Sequence, residues 1–148
     1  MTSHNQLSEK LNTLLATYQI HYQNLRSLHW NIKGAHFFEL HLKYEELYTR
    51  TQVIIDDLAE RILTLNTTPM HRFVDYLKNS QLEENKTIQD SHEGMAYILS
   101  AQEIILKLER ELLALSAELG DEGTNGLMSD LVREKEKTNW MFASWLGK

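Results

Sequence analysis

Histidine and carboxylate side chains recur at helical spacing in two short stretches of the sequence, and both residue types bind transition metals. His41 and Glu45 are four residues apart, and so are Asp56 and Glu60. Residues four apart lie on the same face of a helix, so each pair can direct two ligands to one point. His29 precedes the first pair and adds a second imidazole. The sequence therefore contains two groups of candidate metal ligands.

The donor atoms in these groups limit which metal they can bind. The chain contains no cysteine, which excludes thiolate ligands and disulfides. Imidazole combined with carboxylate suits Fe, Mn or Zn rather than Cu(I) or an iron–sulfur cluster. A mixed and partly open ligand set fits redox or uptake chemistry better than a closed structural zinc site.

Long helices must position these ligands, because residues that interrupt helices are rare. The sequence has one proline, Pro69, and 6 glycines, three of which fall between residues 120 and 126, where we expect a turn. Apolar residues recur at helical spacing elsewhere. This pattern predicts helices at residues 6–31, 38–65, 72–79, 87–119 and 125–146. The expected fold is all-α: a ferritin-like four-helix bundle in which one long crossover carries the short helix.

The length and composition fit a single domain over residues 1–148. A chain of this size can bury a substantial core, and its 42% hydrophobic content is ordinary for a globular protein. The polar N-terminus lacks an apolar signal core, and no apolar run approaches membrane-spanning length. We therefore expect a cytoplasmic protein with no membrane contact.

Helix geometry keeps the two ligand groups apart. His41 and Asp56 would lie about 22 Å apart along one helix, whereas a metal–ligand bond is about 2 Å. His29 can reach His41, because a short turn at Gly34 folds one helix back on the other. Each chain thus carries an imidazole half-site (His29, His41 and Glu45) and an acidic half-site (Asp56 and Glu60). Two chains related by a twofold axis could combine them into two equivalent sites.

Two motifs around these ligands resemble those of a known family. The first, His29 to Glu45, reads HWNIKGAHFFELHLKYE, and the second, Asp56 to Arg61, reads DDLAER. Their sequences and spacing are similar to those of the Dps-type mini-ferritins. The last ten residues, NWMFASWLGK, look like the end of the final helix in that family. The resemblance extends over nearly the whole chain.

The resemblance implies a homo-oligomer, a dodecameric shell with a central cavity, in which a ferroxidase site lies at each twofold interface. His29, His41 and Glu45 would come from one subunit, and Asp56 and Glu60 from its partner. Iron would bind there as a di-iron pair. Hydrogen peroxide or oxygen would oxidise Fe(II), and the family usually prefers peroxide. The ferric product would then be stored as a mineral in the cavity.

The resemblance also implies roles for residues outside this ligand set. Trp30 would lie beside the ferroxidase site. Acidic residues near the start of the last helix would line the pores through which iron enters, and Asp121, Glu122 and Asp130 are the candidates. An equally good interpretation of Asp121 and Glu122 is a solvated loop.

DNA binding is the alternative function, since some family members bind DNA through a basic tail. Here the first ten residues contain only Lys10, the chain ends at Lys148, and the net charge is −6. DNA binding is therefore not expected. Basic and acidic residues alternate over residues 133–137, which indicates a salt-bridged exposed face rather than a nucleic-acid contact.

A conventional ferritin with a metal site inside the bundle is a further alternative. Such sites need Glu-x-x-His pairs on two helices, and the sequence contains none. A purely structural bundle would leave the spaced ligands unexplained. Arg61 is placed to neutralise one of the acids near it on its own helix. The remaining histidines are interpreted as surface or hydrogen-bonded residues: His4, His21, His36, His71 and His92.

Overall fold

The computed structural model describes residues 3–148. These residues form five helices joined by turns and loops, and they contain no strand. The helices are α1 (Ser3–Asn31), α2 (Phe37–Thr64), α3 (Phe73–Asn79), α4 (Ser91–Glu118) and α5 (Glu122–Trp145). The prediction of an all-α fold with four long helices and one short helix is confirmed. Within the same residues, no helix is long and apolar enough to cross a bilayer.

The helices pack as a bundle in which α1 contacts α2, α3 and α4, and α4 contacts α5. Short turns make α1 and α2, and likewise α4 and α5, antiparallel neighbours. Tyr18 of α1 bonds to Glu109 of α4, while the later Asn24 bonds to the earlier Tyr97. Because α1 is therefore antiparallel to α4 as well, α2 and α4 are parallel. Residues 65–90, which carry α3, form the predicted long crossover.

Buried apolar side chains form two clusters along the bundle. In α1 the first cluster ends at Ile20 and the second begins at Leu25. His21 and Asn24, both buried, lie between them and bond to the Tyr97 hydroxyl of α4. The core is thus divided by a polar layer in which each buried group has a partner, as burial requires.

A side-chain cap fixes the start of α4 later than predicted. The Asp90 carboxylate accepts a hydrogen bond from the Glu93 N–H at 2.9 Å. This bond satisfies one of the donors that a helix leaves free in its first turn. The helix therefore starts at Ser91, rather than at residue 87.

A second cap moves the start of α5 in the opposite direction. Asp121 accepts a hydrogen bond from the Thr124 N–H at 3.0 Å, so α5 begins at Glu122, three residues before the predicted position. Gly123, which we expected in the turn, therefore lies inside the helix. The capping carboxylate of Asp121 compensates for the weak helix propensity of this glycine.

The prediction of an exposed, mixed-charge face on the last helix is wrong at Lys135. This side chain is buried, and its Nζ lies 3.1 Å from Oε2 of Glu109, which is fully buried on α4. Tyr18 donates to the same oxygen at 2.6 Å. Burial lowers the pKa of Lys135 and raises the pKa of Glu109, because loss of water disfavours both charges. The bundle interior thus contains an ion pair that the alternating charges of residues 133–137 did not predict.

Candidate metal centre

The two histidine rings of the imidazole half-site stack against each other beside the turn between α1 and α2. Their centroids are 3.7 Å apart, and their planes differ by 13°. His29 Nδ1 lies 2.6 Å from the His41 carbonyl oxygen, and His41 Nδ1 lies 2.8 Å from the His29 carbonyl oxygen. A carbonyl can only accept, so each Nδ1 carries a hydrogen, and Nε2 is the nitrogen through which the neutral ring can bind a metal. This tautomer is the one that a metal-ligating histidine requires.

The turn between the two helices sets this arrangement. Gly34 has a φ of +110°, which side-chain-bearing residues rarely adopt, and the Phe37 N–H donates to its carbonyl at 3.1 Å. The Phe37 ring stacks on His41 with centroids 4.9 Å apart. His41 is therefore held between two rings and cannot rotate freely.

Glu45 completes the imidazole half-site at its solvent side. Its Oε1 lies 3.6 Å from His29 Nε2, and its side chain is 51% exposed. The Glu45 carboxylate therefore lies near Nε2 of His29 but is not held there by a hydrogen bond. Across the described residues, no three His, Asp or Glu side chains converge closely enough to hold an ion. The imidazole half-site is therefore incomplete within one chain.

The acidic half-site lies on the exposed surface farther along α2. Asp56 and Glu60 form no hydrogen bond or ion pair with any residue from 3 to 148. Asp56 borders a shallow apolar depression with Val53 and Ile55. Since α2 runs without interruption from Phe37 to Thr64, its rise of about 1.5 Å per residue keeps the two half-sites far apart. One chain brings the imidazole ligands together and leaves the acidic ones separate.

Known proteins match this chain over almost its whole length. The family model of the ferritin-like domain matches residues 8–148. A DNA protection during starvation protein from Porphyromonas gingivalis is 38% identical over 138 residues, which cover 93% of this chain and 87% of the relative. The Dps protein from Vibrio cholerae O1, described as a member of a broad superfamily of ferritin-like diiron-carboxylate proteins, has a TM-score of 0.96. It is 50% identical, and the match covers 98% of this chain and 91% of that one. The chain belongs to the Dps-type mini-ferritins.

Arg61 of this mini-ferritin does not neutralise the acids near it on α2, contrary to our expectation. Its guanidinium binds Asp121 at 2.8 Å, and its Nε donates to the Thr124 hydroxyl at 3.0 Å. A Cβ atom at Gly123 would lie 2.6 Å from the guanidinium, so a side chain there would displace it. Arg61 therefore joins the end of α2 to the start of α5 and leaves Asp56 and Glu60 open.

The three acidic residues suggested for an iron pore differ in availability. Although burial raises the pKa of Asp121, hydrogen bonds from Thr124 and the charge of Arg61 outweigh it and lower the pKa below its ordinary value. The Asp121 carboxylate therefore serves to cap α5 and is not available to line a pore. Asp130 pairs with Arg133 at 2.8 Å, while Glu122 is exposed and forms no ion pair with the described residues.

Two aromatic residues lie near His29: Trp30 is its neighbour in the chain, and Tyr48 contacts its ring. Trp30 is 57% exposed, with the Arg26 guanidinium 5.0 Å from its ring centroid. Tyr48, which the sequence analysis missed, places its ring edge-on to His29 at 5.4 Å. Tyr48 follows His41 by seven residues, or two helical turns, and this spacing would have identified it.

Proposed function

We propose that this mini-ferritin oxidises Fe(II) at sites shared between two subunits and stores the ferric product within a hollow homo-oligomer. The main support is the separation of two open half-sites on one rigid helix. A twofold dimer would face the imidazole half-site of each chain with the acidic half-site of the other, giving two equivalent centres. Iron is the substrate of these centres and binds there as a pair.

In the proposed centre, the histidines His29 and His41 bind iron through Nε2. Their Nδ1–H bonds to backbone carbonyls hold the rings in place and make Nε2 more basic. Glu45, Asp56 and Glu60 supply negative oxygen ligands. These oxygens attract Fe(III) more strongly than Fe(II), because Coulomb attraction grows with the charge of the ion. Carboxylates therefore favour the oxidised product thermodynamically.

Hydrogen peroxide is the oxidant that we propose, with oxygen as the alternative. Two Fe(II) ions held side by side deliver both electrons to one peroxide: 2 Fe²⁺ + H₂O₂ + 2 H⁺ → 2 Fe³⁺ + 2 H₂O. No hydroxyl radical is released when both electrons arrive together. The reaction would consequently protect the cell against oxidative damage while removing free iron.

Exposed apolar side chains support assembly into a larger shell. Exposed apolar residues that form a patch mark interfaces. Phe38 and Leu42 lie one turn apart on α2, and Phe73 and Leu77 lie one turn apart on α3. The large apolar residues that are at least half exposed are Trp30, Phe38, Leu42, Leu63, Phe73, Val74, Leu77 and Trp140. We propose a dodecamer of single-domain subunits in the cytoplasm, with Glu122 the best placed of the pore candidates to meet incoming iron.

Direct DNA binding is the alternative function, because several relatives are named for DNA protection. The net charge of −6 opposes contact with phosphates. A gel-shift assay at low salt is expected to show no retarded DNA. A retarded band that weakens as salt is raised would favour the alternative.

Mixing two inactive variants tests whether the centres are shared. His41→Ala removes an imidazole ligand, and Asp56→Asn removes an acidic ligand, so each homo-oligomer should oxidise Fe(II) with peroxide much more slowly than the wild type. In a mixed dimer, the intact imidazole half-site of one chain meets the intact acidic half-site of the other. Random mixing should therefore restore about a quarter of the wild-type centres. Ferric absorbance in stopped flow measures the rate.

The control for this mixing experiment is His71→Ala, which alters an exposed histidine outside both half-sites and should leave oxidation unchanged. Native mass measurement checks that every variant assembles as the wild type does. If the two variants fail to restore activity after unfolding and joint reassembly, the centres lie within single chains.

A further inference from the structure

A second pair of histidines lies outside the proposed iron centre. His36 directly precedes α2, His92 lies in the first turn of α4, and Trp145 is the last residue of α5. The His36 and His92 ring centroids are 6.3 Å apart, and they lie 5.4 Å and 5.1 Å from the Trp145 ring. Three aromatic rings from three separate segments thus meet at one point on the surface.

Glu39 engages Nδ1 of His36 and leaves Nε2 as the outward-facing nitrogen. The carboxylate contacts His36 Nδ1, and because an ionised carboxylate can only accept, Nδ1 carries a hydrogen and Nε2 is the nitrogen through which the neutral ring would bind a metal. A carboxylate behind a histidine is the usual outer shell of a metal-ligating imidazole.

His92 leaves its outer nitrogen equally open. Its Nδ1 lies 3.4 Å from the Ser91 hydroxyl, and its side chain is exposed. Two imidazoles that bind one ion at about 2.1 Å place their ring centroids on the order of 5–6 Å apart. The His36 and His92 centroids, 6.3 Å apart, are close to this separation. Since the described residues form no preassembled group of three ligands, water must complete the shell of such an ion.

We propose that His36 and His92 form a second metal site, which binds a divalent ion such as Zn²⁺, Ni²⁺ or Cu²⁺. The ligand types set this preference. Imidazole suits these ions, and their affinities for a given nitrogen site exceed that of Fe²⁺. Glu39 is engaged with His36 and acts as a positioning residue rather than as a ligand. The site would therefore capture metals other than iron.

Quenching of Trp145 fluorescence by Ni²⁺ tests this site directly. Trp30→Phe and Trp140→Phe leave Trp145 as the only tryptophan, and adding His41→Ala removes competition from the iron centre. We expect saturable quenching with one Ni²⁺ per subunit. His92→Gln and His36→Gln should each abolish the saturable phase, whereas the matched change His71→Gln should leave it intact. No iron is added, so the outcome is independent of ferroxidase activity.

A variant of the positioning residue Glu39 tests whether His36 and His92 form an organised metal site or are close only by chance. Glu39→Gln keeps both ligands but loses the anionic partner of His36, and it should weaken Ni²⁺ binding roughly tenfold. Fe²⁺ should compete for the site more weakly than Zn²⁺. Quenching that does not saturate, or that persists in the folded His92→Gln variant, would overturn the proposal. An unchanged affinity in Glu39→Gln would overturn the role of Glu39.

Discussion

Polar side chains occupy two contrasting settings in this mini-ferritin. Inside the bundle, Glu109 accepts bonds from both Lys135 and Tyr18, so that a buried charge is neutralised within one chain. On the surface of α2, Asp56 and Glu60 have no such partner among the described residues. Burial forces charges to pair, whereas water can solvate an open carboxylate. The carboxylates that remain open to an external ion therefore lie at the surface.

The interior pair also bears on the conventional-ferritin alternative. In bundles with an internal metal site, inward-facing acids and histidines surround metal cations. Here the Lys135 ammonium supplies the positive charge beside Glu109. The absence of Glu-x-x-His from the sequence and this internal ion pair both disfavour an iron site within the bundle.

Removing the interior cation should have the largest effect on stability. Lys135→Met leaves the Glu109 carboxylate buried without its partner, and breaking a buried pair in this way costs about 3–5 kcal/mol. Urea unfolding followed by circular dichroism measures the loss. The double variant Lys135→Met/Glu109→Gln should recover much of it, because no charge is then buried. If Lys135→Met lowers the free energy of unfolding by less than about 1 kcal/mol, as expected for an exposed ion pair, then the buried pair does not differ in energy from a surface pair.

Acid should weaken the interior through His21. Burial, aided by the charge of Lys135, lowers the pKa of His21 to about 3. The unfolded chain binds this proton near pH 6.5 and the native chain does not, so stability falls as pH drops below 6.5. The free energy of unfolding should decrease by about 2 kcal/mol between pH 7 and pH 5 from this residue alone. His21→Gln should lack that part of the decrease, and equal slopes for variant and wild type would exclude it.

Changing the acidic half-site should have the smallest effect on stability. Asp56→Asn alters an exposed group without a partner in the described chain, so the free energy of unfolding should stay within about 0.5 kcal/mol of the wild type. Iron oxidation should nevertheless fall sharply. Parallel measurement of urea unfolding and oxidation rate tests this separation. A large loss of stability would mean that Asp56 has a structural role.

Much of the fold could be predicted from local patterns. Apolar spacing identified the four long helices, and connection lengths identified the crossover, because both depend on neighbouring residues. The starts of α4 and α5 were misplaced, since the capping roles of Asp90 and Asp121 depend on the side chain finding one backbone N–H. Lys135 was misassigned because its partner, Glu109, lies on another helix.

The sequence by itself determined that one chain carries two groups of candidate metal ligands that lie too far apart to share an ion. This follows from the spacing of His41 and Asp56 and the rigid rise of a helix. Only the tertiary structure decided which groups stay open. In the packed bundle, His29 stacks on His41, Arg61 binds Asp121, and Lys135 is buried against Glu109. Each of these contacts joins residues from different helices, whose side chains meet only after the bundle has packed.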